Sequence, residues 1–314
     1  MNDRRASATA AVTGTMSALR LHAPGAVEAL SLDQIPIGQP REGEVLVRVH
    51  AAAITRDELD WPADRLPAVP SSELSGTVAA VGAAVTGVEP GDDVWALTPF
   101  DRDGVAAEYA IVPVSVLAPK PAALGHVACA SIPMGALSAW QGLFDHGRLQ
   151  RGERVLIHGA AGGVGQFATQ LARWCGAHVI GTSGSSVDDV IALGAHEAVD
   201  RSSERFDEVI RDIDLVFDTV GGDALARSAA VLSERGRIVS VAEEPPADLA
   251  RVEATYFIVE PNREQLLHIG RLVDDGVVRA HVDSVYPLAK AREAFERVRQ
   301  PGKRGKVVLR VAGD

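Results

Sequence analysis

The stretch His158-Gly159-Ala160-Ala161-Gly162-Gly163-Val164-Gly165 decides the fold of this chain. It follows a strand-like segment, Arg154 to Ile157, and opens a helix-like one, Gln166 to Trp174. A strand, a glycine-rich turn and a helix in that order form a cradle for a pyrophosphate. The turn must be tight, its backbone must approach the phosphates, and the free N–H groups of the first helical turn then face the anion. Written as Ala160-x-Gly162-x-x-Gly165, with Gly163 and Val164 inside it, the run is a dinucleotide fingerprint with alanine in the first glycine place. A glycine-rich turn can also be no more than a turn. The strand before it and the helix after it are what the fingerprint requires.

Beyond the turn, short apolar runs alternate with helical ones. Val179-Ile180, Leu215-Val216-Phe217 and Ile238-Val239-Ser240-Val241 read as strands, and helices centred on Ala168, Ile191 and Ala229 separate them. That order predicts a doubly wound α/β unit with a parallel sheet. The first third differs. Glu44 to Val49 alternates apolar and polar residues, and Gly76 to Val81, Val94 to Leu97 and Ala106 to Val112 add short strands punctuated by glycine and proline. These predict a compact antiparallel, barrel-like unit. Ala128 to Phe144 reads as one or two helices. Helices over Glu264 to Asp274 and Ala289 to Val298 and a strand over Lys306 to Val311 close the chain.

A chain of 314 residues is long enough for two domains. Its formal net charge of -11 argues against broad attraction to nucleic acid or to an anionic membrane. Two cysteines far apart, Cys129 and Cys175, make neither a disulfide framework nor a metal cluster and fit a reducing cytoplasm. No apolar run approaches the length that spans a bilayer. Met1 to Thr15 is small and polar and lacks a leucine-rich core, so it is expected as a disordered extension or an alternative start.

Several segments in sequence order resemble the medium-chain dehydrogenase/reductase superfamily, and within it the zinc-free quinone oxidoreductase and enoyl reductase branch. They include GEVLVRVHAAAITRDELDWP, ELSGTVAAVGAAVTGVEPGDDVWAL, MGALSAWQGLF, GERVLIHGAAGGVGQFATQLAR and DLVFDTVGGD. The resemblance runs from about Met16 to Val311. It implies a GroES-like, β-rich catalytic domain made from both chain ends, residues 1–124 and 260–314. Around 125–259 it implies a Rossmann dinucleotide-binding domain, and it implies a homodimer.

Departures from the zinc-dependent branch shape the expected chemistry. Where those enzymes carry Cys-x-x-Asp, this chain has Thr55-Arg56-Asp57-Glu58, and where they carry Gly-His-Glu it has Ser71-Ser72-Glu73. Threonine and serine are not zinc ligands, so no metal is expected. A reductase without a Lewis acid suits an acceptor that is already electrophilic, a quinone or a carbonyl-conjugated alkene. Relatives of the zinc-free type often carry Asn at the place of Thr55, which makes Thr55 a candidate polar group beside the nicotinamide. A hydroxyl satisfied within its own loop is the alternative. Tyr109 is a candidate proton donor or a strand residue of the core. Trp61 and Trp95 either line a substrate slot or pack.

An NAD site places Asp or Glu about twenty residues beyond the glycine turn, on the ribose 2′-hydroxyl. Here Thr182, Ser183 and Ser185 occupy that region, and the loss of the acid favours NADPH. No cation follows them, since Val187-Asp188-Asp189 comes next. The Lys303, Arg304 and Lys306 cluster could supply one, or could be a solvated turn. By resemblance, Ser138, the Thr219-Val220-Gly221 run, Val241 and Ala242 complete the cofactor wall. Three readings of function stand: a reductase of small quinones or enones, a stand-alone enoyl reductase of a biosynthetic pathway, and an NADPH-binding or sensing protein without turnover.

Overall fold

The structure, a computed structural model, describes residues 12–61, 64–184, 187–249, 251–300 and 302–312. Most of the leader and Ser185 lie outside the described residues. The first unit contains strands β1 (Thr15–Leu21), β2 (Leu30–Pro36), β3 (Glu44–Ile54), β4 (Glu73–Val81), β5 (Asp93–Leu97), β6 (Tyr109–Pro113) and β7 (Ala118–Pro119). Helices α1 (His126–Ala130) and α2 (Pro133–Trp140) lead out of it. The second unit runs β8 (Arg154–His158), α3 (Gly165–Cys175), β9 (His178–Ser183), α4 (Val187–Ala192), β10 (Glu197–Asp200), α5 (Phe206–Val209), β11 (Ile213–Asp218), α6 (Gly222–Arg227), β12 (Leu232–Ser240) and β13 (Glu253–Tyr256). The chain then returns through α7 (Arg263–Asp274), β14 (Val282–Pro287), α8 (Ala291–Arg299) and β15 (Lys306–Arg310).

The second unit is a parallel sheet in the order β10-β9-β8-β11-β12-β13. Its central strands β8, β9 and β11 are buried on both faces, as a sheet covered by helices on both sides demands. On β8, Val155 and Ile157 join a cluster with Phe167 and Leu171 of α3, while Leu156 faces a second cluster with Phe206, Leu225 and Val231. Phe206 lies on α5 and Leu225 on α6, so helices cover both faces.

The first unit's main sheet takes strands from both chain ends. Its order is β14-β15-β3-β4-β5-β7, with β6 on β3, and only β14 and β15 pair in parallel. The alanines of β3 explain how α1 comes close: Ala51 and Ala53 pack against Ala130 of α1 and Val308 of β15. Helix α7 starts at the cap Asn262, whose side chain accepts from the Gln265 amide at 3.0 Å. It buries Leu266 and Ile269 in the same cluster as Phe167, so this helix seals the seam between the sheets.

Two expected boundaries move. The Ala106 to Val112 strand enters the main sheet only at Tyr109, because Ala106 and Ala107 run beside β1 instead: the Leu19 amide donates to Ala106 O at 2.9 Å and Ala18 bridges Ala107. The helix expected around Ala229 is α6, ending at Arg227, followed by a 3-10 turn over Ser228–Val231.

Candidate active site

The glycine turn closes on β9. Gly159 takes φ +71°, its amide donates to Thr182 Oγ1 at 3.3 Å, and the Ala160 amide donates to Thr182 O at 2.9 Å. Three glycines there have distinct tasks. A Cβ on Gly165 would lie 2.1 Å from Gly159 O, so that position must be bare for the helix to start against the strand. A Cβ on Gly181 of β9 would lie 2.6 Å from the Ala160 Cβ, so Gly181 makes room for the buried Ala160. Gly163 is different: its Cβ would meet nothing closer than Lys306 Cδ at 3.4 Å. A Cβ there makes only ordinary contact, and among the described residues the amides of Gly163, Val164 and Gly165 take no carbonyl partner. A Cβ-free cradle with free amides at the start of a three-turn helix fits a pyrophosphate.

Beside that cradle three strand ends converge. In the register of the main sheet Val307 of β15 opposes Ile54 of β3, and Ala53 opposes Glu73 of β4. Lys306 therefore falls opposite Thr55, and Glu73, in the row of Ala53 and Val308, lies two positions along on the same face. Lys306 Nζ donates to Thr55 Oγ1 at 3.0 Å and pairs with Glu73 Oε1; both charged side chains are buried. The other Glu73 oxygen accepts from the Met134 amide at the start of α2, at 2.9 Å. Thr55 Oγ1 also reaches Met134 Sδ at 3.3 Å, and its amide donates to Glu58 Oε2 at 2.8 Å. Thr55 is thus not satisfied within its own loop; its hydroxyl contacts come from residues 251 and 79 positions away. Removing one partner of such a buried pair typically costs about 3–5 kcal/mol.

Glu58 is buried, and its Oε1 has no hydrogen-bond partner. Burial pushes its carboxyl up to about 8, Thr55 N–H and Lys306 pull it back, and Glu73 adds to the rise. Glu58 therefore holds a proton at neutral pH. Burial also raises the Glu73 carboxyl, against the pull of Lys306. At the position corresponding to a histidine neighbour in the zinc-dependent branch, Ser71 Oγ donates to Ala53 O at 2.8 Å. The Thr55 hydroxyl, at the place of the cysteine ligand, is thus committed to Lys306 and Met134, and the carbonyl of Ser72, at the place of the histidine, accepts from the Thr98 amide at 2.7 Å. Among the described residues, no group of three His, Cys, Asp or Glu side chains is placed to hold a metal ion.

The opposite wall is organised by Asp218, which sequence reading passed over. Its carboxylate accepts from the amides of Val220 and Gly221 at 3.1 Å and from Ser240 Oγ at 2.8 Å, and Ser240 Oγ in turn accepts from the Ala242 amide at 3.1 Å. One buried acid therefore shapes the loops after β11 and β12. Thr219 Oγ1 donates to His158 O at 2.7 Å, which brings the Thr219 to Gly221 run against the glycine turn. Val220 and Ala242 are exposed, Val241 half-buried, and Ser138 buried within α2.

Several expected site residues lie elsewhere or face inward. Tyr109 pairs with Arg48 of β3, seven residues before Thr55, which is about 23 Å at strand rise; it packs against the core around Met16 and Leu19. Trp95 is fully buried in the core, whereas Trp61 is 42% exposed and meets Phe100 edge-on at 5.5 Å. Trp61, Phe100 and Arg65 surround a shallow slot that Glu58 and Ser71 also line. The Thr182 hydroxyl is turned inward, accepting from Gly159 and contacting His158 Nδ1 at 3.2 Å, because it closes the turn from below. Ser183 is buried as well. Of the C-terminal cations, Arg304 pairs with Asp189 at 2.9 Å, Lys303 donates to Gly305 O at 2.7 Å, and Lys306 is held by Glu73.

Known proteins share the fold that carries this site. Residues 41–122 match the alcohol dehydrogenase GroES-like domain and residues 193–309 the zinc-binding dehydrogenase model. The chain is 36% identical over 309 residues to the "Probable zinc-binding oxidoreductase, mitochondrial" of Arthroderma benhamiae, covering 90% of this chain and 93% of that one. It is 29% identical to the quinone oxidoreductase of Mus musculus, covering 94% and 97%. The structure of the quinone oxidoreductase from Coxiella burnetii superposes with a TM-score of 0.89 at 30% identity, covering 95% of this chain and all of that one. The chain belongs to the medium-chain dehydrogenase/reductase superfamily, in its zinc-free quinone oxidoreductase branch. It is an oxidoreductase, and the family implies a nicotinamide cofactor.

Proposed function

We propose that this protein is a zinc-independent, NADPH-dependent reductase that delivers hydride to a quinone or to a carbonyl-conjugated alkene. The observation that carries the reading is the Thr55–Lys306–Glu73 cluster. It occupies the place of a metal site and abuts the cradle, with Lys306 Cδ 3.4 Å from the Cβ position of Gly163. With its pyrophosphate in the cradle, the reduced nicotinamide cofactor would supply the hydride from C4 of its ring. The acceptor then carries negative charge on an enolate or phenolate oxygen, and that oxygen needs a donor and finally a proton.

Thr55 is arranged for this task. Its oxygen already accepts from the Lys306 ammonium, so its own O–H is left to donate, and its present acceptor, the Met134 sulfur, is a weak one. An oxyanion replaces that sulfur at little cost. The buried Lys306 charge stabilises the developing anion, and Glu73 fixes where that charge sits. Glu58, protonated and joined to the Thr55 amide, keeps a further proton close by. Trp61 and Phe100 offer an apolar rim suited to a flat ring or enone.

Substituting Thr55→Val tests the assignment. Loss of one donor to a developing oxyanion typically lowers kcat by about a hundredfold or more. The variant is expected to keep the NADPH Kd, to lose kcat on that scale, and to recover most of it as Thr55→Ser. Wild-type kcat in Thr55→Val would remove Thr55 from the chemistry.

A further inference from the structure

The cofactor reading leaves one charge unaccounted for. A 2′-phosphate needs a cation near the end of β9, and each C-terminal cation already has a partner. The neighbouring strand supplies another. β10 pairs in parallel with β9, Asp200 opposite Ser183, which brings the next residue, Arg201, beside Gly184. The Arg201 amide donates to Ser183 O at 3.0 Å and fixes this placement. Its side chain then folds back over the β9 end. A Cβ added to Gly184 would lie 2.5 Å from Arg201 Nε and 3.0 Å from Nη2, so the guanidinium rests on the bare backbone of that glycine.

We infer that Arg201 is the residue that recognises the adenosine 2′-phosphate of NADPH, with Gly184 keeping the space that its guanidinium fills. The inference rests on NADPH being the cofactor and adds the residue that selects it. Arg201 is exposed, and among the described residues its guanidinium pairs with no carboxylate. The adjacent acid does not compete for it: Asp200 Oδ1 accepts from the Ser202 amide at 2.9 Å and from Ser202 Oγ at 2.6 Å, inside its own turn. A guanidinium without an internal partner, at the strand end that reads the ribose 2′ substituent, can offer a phosphate two parallel N–H donors. Where an NAD-specific site presents a carboxylate from the second strand, this chain presents no acid and brings a cation from the strand beside it.

The test is binding of 2′,5′-ADP and of 5′-AMP, by titration calorimetry, to wild type, Arg201→Ala and Arg304→Ala. The two nucleotides share the adenosine and differ in the 2′-phosphate, and no turnover is involved. Wild type is expected to prefer 2′,5′-ADP. Arg201→Ala should weaken 2′,5′-ADP by about tenfold to a hundredfold, the usual scale for charged hydrogen bonds, and leave 5′-AMP within about twofold. Arg201→Lys should recover part of the loss, because the charge stays and the planar fork goes. A wild-type preference that survives Arg201→Ala, or one that disappears in Arg304→Ala instead, overturns the assignment of Arg201 while NADPH stands as the cofactor. A wild type that binds the two nucleotides equally overturns both.

Discussion

At the scale of single residues, the site depends on two side chains whose ionisation is set by burial, and they act in opposite directions. Glu58 is pushed up to about 8, so the folded protein keeps a proton that the unfolded chain releases near 4.5. Its contribution is therefore present at low pH and lost as pH rises toward 8. His158, buried between Thr182 and Ser228, is pushed down to about 3 by burial and by the positive field of Arg227 and Arg201. The unfolded chain takes up that proton near 6.5, so His158 costs stability only as pH falls below that value. Between pH 6.5 and 8 the Glu58 effect acts without opposition from His158. Across that window wild type is expected to lose unfolding free energy relative to Glu58→Gln by about 1.4 kcal/mol per pH unit. Urea unfolding of both proteins at the two ends of the window measures this, and parallel curves would mean that Glu58 is ionised when folded.

At the scale of elements, the sequence was legible where periodicity was strong and opaque where strands were short. β3, β5 and β8 alternate or run apolar over several residues and are found where expected. β10 is only Glu-Ala-Val-Asp and β13 Glu-Ala-Thr-Tyr, too short and polar to stand out; only their parallel neighbours make them strands. The same holds for side chains that meet only through strand pairing. Thr55 could be singled out by its place in a motif. Lys306 could not be assigned to it, because the two meet only when β15 docks on β3, 251 positions apart. Arg201 was hidden for the same reason, since it reaches Gly184 only through the β10–β9 pairing. Thr182 and Ser183 were legible as residues but not in orientation, and the structure turns them inward.

The glycine turn allows a prediction that separates binding from folding. Gly163→Val sets its side chain against the movable Lys306 stem, its Cβ meeting no backbone closer than 3.9 Å, so the protein should stay folded while losing nicotinamide nucleotide binding. Gly165→Val drives its Cβ into the Gly159 carbonyl, 2.1 Å away in the present backbone, so it should instead unfold at lower temperature, by about 1–3 kcal/mol or more. Thermal unfolding with and without NADPH reads both effects at once. Undiminished stabilisation of Gly163→Val by NADPH would place the pyrophosphate elsewhere.

At the scale of the whole molecule, two sheets contributed by different parts of the chain meet along α2, α3 and α7, and the site lies where that seam reaches the surface. β15 does most to couple the two halves. It begins immediately after Gly305, whose amide lies 3.4 Å from Ala161 O in the glycine turn, and its first residue is Lys306. One short segment thus touches the glycine turn and brings Lys306 to Thr55 and Glu73. This continuity lets a buried ammonium and hydroxyl stand where relatives of the zinc-dependent branch hold a metal. The most direct test of that account is the rate of NADPH oxidation by purified protein against ortho-quinones and α,β-unsaturated ketones, with zinc assayed in the same sample. The account predicts turnover by protein carrying far less than one zinc per chain, undiminished by a chelator. Turnover that appears only on adding zinc, or none with any of these acceptors, would contradict it.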